Sequence, residues 1–509
     1  MFGRVCSGAI LGIDGYLVQV EADVCSGLPG FDMVGFLASE VREARERVRT
    51  ALRNSGYEMP PARTTINLSP ADLRKEGNYF DLPIAIAILM AIGILTKEAL
   101  EDVFLVGELS LDGTLQPVNG VISLISTARQ EGIHTCIVPA ANGREGAVIE
   151  GVQVYGMQTL SDVIAFLSGR GQFAPEQSTE DGLCPEDGAE VDFGEINGQE
   201  AVKRASMVAA AGMHNILYIG PPGSGKTMIA RRLPTILPPL TKEERIEISK
   251  VYSICGLLPP EQGLIWKRPF RSPHHTISAT ALTGGGRIPR PGEISLANRG
   301  VLFLDELPEF QKSTLEILRQ PLEDKKVVIS RVHGTYVYPT NFVLAAAMNP
   351  CKCGFYPDRR LCRCSEAEVQ KYLNHISQPL LDRIDICIEV PRLAYQEFSA
   401  EKPVPTSAQL REMVVRAMEI QKERYAGTSV LFNGALSPAQ IKKYCRLQKE
   451  EQTFLKEVFE TMELSARAYH KILKVARTIA DLEGAEEISG AHLAEAIGYR
   501  SLDKKYWGQ

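Results

Sequence analysis

The segment YIGPPGSGKT, residues 218–227, constrains this chain more than any other. Gly220, Gly225, Lys226 and Thr227 satisfy the pattern G-x-x-x-x-G-K-[ST]. Glycines in such a loop, here with Gly223 and Ser224 between them, let consecutive backbone N–H groups turn inward around phosphate oxygens. Lys226 supplies positive charge at the β- and γ-phosphates, and the Thr227 hydroxyl is a ligand for Mg²⁺. The apolar run NILYIG leads into the loop and MIARRLPTIL leaves it with helical character. A loop between a strand and a helix requires a parallel, helix-covered sheet, so it predicts an α/β fold that binds a nucleoside triphosphate.

A second strand pattern completes the chemistry. GVLFLDEL ends a four-residue apolar run in Asp305 and Glu306. A carboxylate at that strand end holds the Mg²⁺ shell, and the next one polarises the attacking water. Asn349, after the strand FVLAAAMN, is placed to orient that water. Arg383 in QPLLDRIDI has the position of an arginine finger that enters a neighbouring subunit's site. Arg467, in LSARAYHKILKVARTIADL, starts a helix that would touch the phosphates from above. Together these features define an AAA+ ATPase module using ATP and Mg²⁺.

The chain has 509 residues and is 44% hydrophobic, enough for two to four domains. Residues 1–168 alternate β-like runs such as YLVQVEADV and TTINLS with the amphipathic SEVREARERVRTALRNSG. The stretch 169–190 is rich in Gly, Pro and acid and reads as a linker. Residues 191–395 alternate strands and helices, and EKPVPTSAQ then leads into an all-helical lid, 396–509. The longest apolar run, Pro83 to Leu95, is too short to cross a membrane and predicts a buried helix. The N-terminus lacks a signal-peptide layout, which predicts a cytoplasmic protein. A net charge of −6 argues against a generally basic, DNA-coating protein, yet leaves room for basic groups confined to a pore.

The motifs PPGSGKTMIARRLPTILPPL, FRSPHHTISATALTGGG, PRPGEISLANRGVLFLDELPEF and SARAYHKILKVARTIADL resemble the YifB/ComM family of magnesium-chelatase-like AAA+ proteins along essentially the whole chain. The resemblance implies a homo-hexameric ring. It also implies a helix-2 insert near Ser278–Ser295 and a pre-sensor-1 hairpin near Lys326–Thr340. Read physically, SATALTGGGRIPRPGE suits a mobile loop carrying Arg287 and Arg290, while KKVVISRVHGTYVYP alternates about a turn at His333–Gly334. Lys326, Arg331 and His333 put positive charge at its base and tip. These five residues are DNA-contact candidates, against the alternative of a solvated hairpin with scattered charges.

The first domain resembles the proteolytic domain of Lon, through DLRKEGNYFDLPIAIAIL and FLVGELSLDGTLQPVNGVISLISTARQEGIHTCIVPAAN. Where that family has its serine, Lys75-Glu76-Gly77-Asn78-Tyr79-Phe80 has none; where it has its lysine, Gly120-Val121-Ile122-Ser123 has none. Without nucleophile and base there is no acyl transfer, so the fold is expected to serve docking, assembly or DNA contact. NPCKCGFYPDRRLCRCSE places Cys351, Cys353, Cys362 and Cys364 in a C-x-C…C-x-C arrangement suited to structural Zn²⁺, or alternatively to free, redox-active thiols. The remaining seven cysteines are scattered. The family resemblance implies an ATP-dependent helicase or translocase acting on single-stranded or branched DNA, with branch migration during recombination or natural transformation as its task. A magnesium-chelatase-type motor acting on a protein, or a regulatory ATPase, are the alternatives.

Overall fold

The computed structural model describes residues 1–178, 191–259, 261–332, 334–392 and 404–507. Its first sheet has seven strands: β1 (Phe2–Leu11), β2 (Asp14–Cys25), β3 (Gly30–Val34), β4 (Arg63–Ser69), β5 (Val103–Leu105), β6 (Thr135–Pro139) and β7 (Gln153–Met157). Their order across the sheet is β3-β4-β2-β1-β5-β6-β7. β1 and β2 form a long antiparallel hairpin closing at Leu11↔Asp14. Alternation along β2 buries Val18, Val20, Ala22 and Val24. Against this sheet lie α1 (Ser39–Asn54), α2 (Asp81–Ala91) and α3 (Val121–Gln130). The amphipathic α1 buries Val41, Ala44, Val48 and Leu52. The apolar run read as a buried helix is α2, covered on nearly all sides. Its first residue, Asp81, is 1% exposed in its side chain and accepts from Arg47 of α1 at 2.6 and 2.9 Å and from the Leu109 N–H.

The lysine and serine nearest the missing dyad are committed elsewhere. Lys75 is fully buried and donates to the Leu73 carbonyl, while the Ser123 hydroxyl donates to the Ile13 carbonyl at 2.6 Å.

The second sheet is wholly parallel. Its strands β8 (Ile216–Ile219), β9 (Phe270–Arg271), β10 (Val301–Leu304), β13 (Val343–Met348) and β14 (Ile386–Glu389) lie in the order β9-β10-β13-β8-β14. Between β10 and β13 the chain forms the separate antiparallel hairpin β11 (Lys326–Arg331) and β12 (Gly334–Pro339). Every residue of β8, β10 and β13 is buried, as expected of strands covered on both faces. On one face pack α4 (Glu200–Gly212) and α5 (Lys226–Ile236), whose Val202, Val208, Ile229 and Leu233 share a core with Phe303 and Ala345. Further elements are α6 (Lys242–Ile254), α7 (Glu366–Leu373) and the C-terminal helices α8 (Ser407–Arg424), α9 (Pro438–Tyr444), α10 (Lys449–Thr461), α11 (Ala466–Leu482) and α12 (Gly490–Trp507). No helix among the described residues is long and apolar enough to cross a membrane.

The stretch read as a linker begins as packed chain. Phe173 meets Phe166 edge-on, and the Glu176 N–H donates to the Val154 carbonyl beside β7. One aromatic anchor outweighs the polar composition there. Residues 179–190 of the linker, and 393–403 around the second join, lie outside the described residues.

Among the contacts that tie the first domain to the second, two are buried or apolar junctions. The hydroxyl of Ser253 on α6 accepts from the Gly120 N–H at 2.8 Å and donates to the buried carboxyl of Glu145, which also receives Asn142 and the Ile122 N–H. Burial pushes the Glu145 carboxyl above its ordinary pKa, against these hydrogen bonds. At the second contact, the β1–β2 turn presents Leu11 and Ile13 to Val327, Ile329, Tyr336 and Tyr338 on the hairpin. Replacing Ser253 by Ala strands the Gly120 N–H and one Glu145 bond. The expected cost is about 1–3 kcal/mol, read as a lower denaturant midpoint with an unchanged slope.

Candidate nucleotide-binding site

Parallel strands deliver their C-terminal ends to one edge, and loops leaving that edge build the site. The phosphate loop follows β8, with Gly223 at φ +75° and Gly225 at φ +90°. A Cβ on Gly220 would stand 2.3 Å from the Val390 carbonyl oxygen, so only glycine fits where β8 passes the end of β14. A Cβ on Gly223 would meet nothing within 4 Å, so the loop is open on that side. The Ser224 hydroxyl is buried without a hydrogen-bond partner. An open glycine turn, an unsatisfied hydroxyl and a lysine fit a polyphosphate.

Side chains from three adjacent strands converge on this loop. The Thr227 hydroxyl donates to Asp305 Oδ2 at 2.6 Å, beyond β10. Lys226 Nζ donates to the carbonyls of Gly220 and Pro221 at 2.7 and 2.9 Å and to Asn349 Oδ1 at 3.1 Å, beyond β13. Burial lowers the Lys226 pKa, and the Asp305 and Glu306 carboxylates oppose that. Glu306 sits at φ +51°, in the left-handed region, and its N–H donates to Asp305 Oδ1 at 2.9 Å. The structure therefore brings together Gly220, Gly223, Ser224, Gly225, Lys226, Thr227, Asp305, Glu306 and Asn349.

One neighbour of this group carries no role in the sequence reading. His275 places Nδ1 at 3.6 Å from Glu306 Oε2 and lies tilted against His274, ring centroids 4.0 Å apart. The pairing Arg271↔Leu302 between β9 and β10 carries the following SPHH segment alongside Asp305 and Glu306. Its signal in sequence is a histidine pair just past an edge strand, and that strand is too short for periodicity to mark it.

Arg383 and Arg467 lie elsewhere. Arg383 precedes β14, at the N-terminal edge of the sheet, and the four residues of that strand alone span about 13 Å. Its guanidinium is held by Glu323 and by the carbonyls of Pro379 and Arg319. Arg467 Nη1 lies 3.5 Å from Asp382 Oδ2, so it shares that edge instead of covering the phosphate loop of its own chain. The reason is the anchoring of α11: Lys471 donates to the Ile384 carbonyl and faces the partly buried Asp385 at 3.9 Å.

The insertions form one projection. Arg271 pairs with Glu293 at 2.6 and 2.7 Å and closes the root of the helix-2 insert, where Arg287 and Arg290 are exposed. The Tyr338 hydroxyl donates to the Pro289 carbonyl, and Arg331 Nε donates to the Gly286 carbonyl at 3.3 Å. Lys326 and Arg331 are exposed; His333 lies outside the described residues. Beyond Asn349, the sulfur atoms of Cys351, Cys353, Cys362 and Cys364 lie within 4.8 Å of one another.

Comparison with known proteins gives three family matches in chain order. Residues 20–142 match the subunit ChlI of Mg-chelatase, 192–398 magnesium chelatase subunit ChlI, and 405–500 its C-terminal region. The chain is similar to the competence protein ComM of Haemophilus influenzae, with 45% identity over 98% of this chain and 97% of that protein. It is 43% identical to the uncharacterized protein YifB of Salmonella typhimurium, over 97% of this chain and 96% of that one. A shorter match, 25% identical over 31% of this chain, joins it to 21% of a Lon protease from Mycolicibacterium smegmatis.

The arrangement predicts the behaviour of one substitution. Glu306→Gln keeps the shape of the site and removes the charge that would polarise water. Nucleotide affinity, measured by titration with a fluorescent ATP analogue, is expected to stay within about twofold, while turnover falls roughly 10²-fold or more. Turnover near that of the unmodified protein would remove Glu306 from this role.

Proposed function

Because this chain is a member of the YifB/ComM family of magnesium-chelatase-like proteins, we propose that it is a homo-hexameric, ATP-driven DNA motor. ATP and Mg²⁺ supply the transferable phosphoryl group and its charge neutralisation. In this reading the chain's own residues do the rest. Gly220 to Gly225 wrap the phosphates with backbone N–H groups. Lys226 leaves its carbonyl partners for the β/γ-phosphates, while Thr227 and Asp305, already bonded to each other, hold the metal. Glu306 and Asn349 orient the attacking water.

The observation that carries the reading is the opposition of the two sheet edges. Arg383 and Arg467 face away from the phosphate loop of their own chain, so their proposed role requires a neighbour's phosphate loop. Both then act in the adjacent subunit's site, and a ring gives every site its pair. Arg383 must exchange Glu323 for the γ-phosphate to do so. That exchange would join nucleotide state to the packing between subunits.

The contact of Arg331 with the helix-2 insert supports DNA as the substrate. It gathers Arg287, Arg290, Lys326 and Arg331 on one projection, suited to phosphates in a pore. The name of the Haemophilus relative refers to competence, and branch migration of incoming single strands is the corresponding task proposed for this chain. The first domain serves docking and assembly in this scheme, without peptidase activity. A cytoplasmic location belongs to the same proposal.

Two measurements test the proposal. Mixing Arg383→Ala with Lys226→Ala protein is expected to restore part of the turnover, because mixed interfaces join an intact finger to an intact loop. No gain over either variant alone would place Arg383 in its own site or in packing. In the second, single-stranded and branched DNA are expected to stimulate turnover. Replacing Lys326 and Arg331, or Arg287 and Arg290, by Ala should reduce that stimulation. The same replacements should lower the salt dependence of DNA binding by about one unit of slope for each phosphate no longer neutralised. Indifference of ATP turnover to DNA would favour a motor acting on a protein.

A further inference from the structure

The four-cysteine loop touches the phosphate loop, and this contact extends the nucleotide reading. Cys351 Sγ lies 3.3 Å from Cys353 Sγ and 3.8 Å from Cys362 Sγ, with Cys353 and Cys362 3.5 Å apart. These separations exceed a disulfide bond of about 2.05 Å and approach the roughly 3.8 Å between sulfurs that tetrahedral Zn–S bonds of about 2.3 Å require. The Tyr356 N–H donates to Cys351 Sγ at 3.4 Å, a bond of the kind that stabilises a metal-bound thiolate. Among the described residues this is the one cluster of three or more such ligands. Four thiolates gathered this closely suit zinc, or iron, ahead of the hard divalent ions.

The loop leads directly to the phosphates. It starts two residues after Asn349, whose Oδ1 accepts from Lys226. Gly354, buried and at φ +84°, lies so close to the phosphate loop that a Cβ on it would stand 2.3 Å from Pro222 Cδ and 2.8 Å from its Cγ. Phe355 and Tyr356, the next two residues, wall a cavity of about 460 Å³ whose floor includes Gly220 and Pro221. Residues 351–364 contain no strand and no helix. Without regular secondary structure, the segment is held by its cysteines and by the packing of Phe355 and Tyr356 on the neighbouring core.

We propose that Cys351, Cys353, Cys362 and Cys364 bind one Zn²⁺ and that this centre is a buttress of the nucleotide site, pressing Gly354 on Pro222 to hold the phosphate loop in its binding form. The inference rests on the nucleotide reading above and adds a metal requirement to it. Removing the ion frees the loop from Pro222 and from the Asn349 side of the site, so nucleotide binding weakens although no residue that touches the nucleotide has changed.

The test uses full-length protein purified under reducing, chelator-free conditions. Elemental analysis is expected to find one zinc per chain, and replacement by Co²⁺ to give the visible absorption of a tetrahedral thiolate complex. Stripping the metal with a thiol-blocking reagent, or Cys362→Ser, should weaken binding of a fluorescent ATP analogue roughly tenfold. Gly354→Ala separates the contact from the metal: it should weaken binding by a similar factor while zinc stays at one per chain, which also reports that the loop has folded. Absence of zinc, or equal nucleotide affinity in loaded, stripped and Gly354→Ala protein, overturns the buttress alone. A zinc-loaded protein that binds no nucleotide overturns the nucleotide reading and the buttress with it.

Discussion

Two hydrogen bonds at the edge of the second sheet hold the rest of the site in register: Thr227 to Asp305 and Lys226 to Asn349. They tie the loop after β8 to the ends of β10 and β13, so that a lysine, a hydroxyl and two kinds of acceptor occupy a few ångströms. Lys226 is buried, which depresses its pKa, and its bonds to two carbonyls and an amide hold it where a phosphate would lie. The parallel sheet makes this convergence possible, because all five strands end at the same edge.

The same polarity separates functions. Whatever follows a strand meets the phosphate loop, and whatever precedes one lies a strand's length away. Arg383, just ahead of β14, falls in the second class, and Arg467 joins it because α11 is anchored at Ile384 and Asp385. In the proposed ring, that separation is what would give either arginine its place in a neighbour's site.

The first domain is linked mechanically to the second. Its β1–β2 turn packs on the apolar face of the β11–β12 hairpin, and the hairpin in turn meets the helix-2 insert through Tyr338 and Arg331. A Cβ on Gly12 would come within 3.1 Å of the Val337 carbonyl oxygen, a measure of how closely the turn is seated. Within the first domain, Lys75 and Ser123 are spent on the Leu73 and Ile13 carbonyls. The Lon-like fold thus contributes a surface that bears on the hairpin.

Local patterns were enough to establish the α/β class, the phosphate loop, the acidic pair after an apolar strand, a buried helix in the run Pro83–Leu95, which the structure ends at Ala91, and the hairpin, because the physics of each acts over a few residues. Family membership was equally legible, since independent motifs recur along the chain. Which distant groups meet was left to the folded chain. No spacing rule joins His275 to Glu306, Gly354 to Pro222, Leu11 to the hairpin, or Ser253 to Glu145, because these contacts depend on strand order and on how helices settle over the sheet. The placement of Arg467 shows the limit most plainly. Its helix was readable from periodicity, yet which edge of the sheet that helix covers goes with an ion pair, Lys471 against Asp385, that only the tertiary structure brings together.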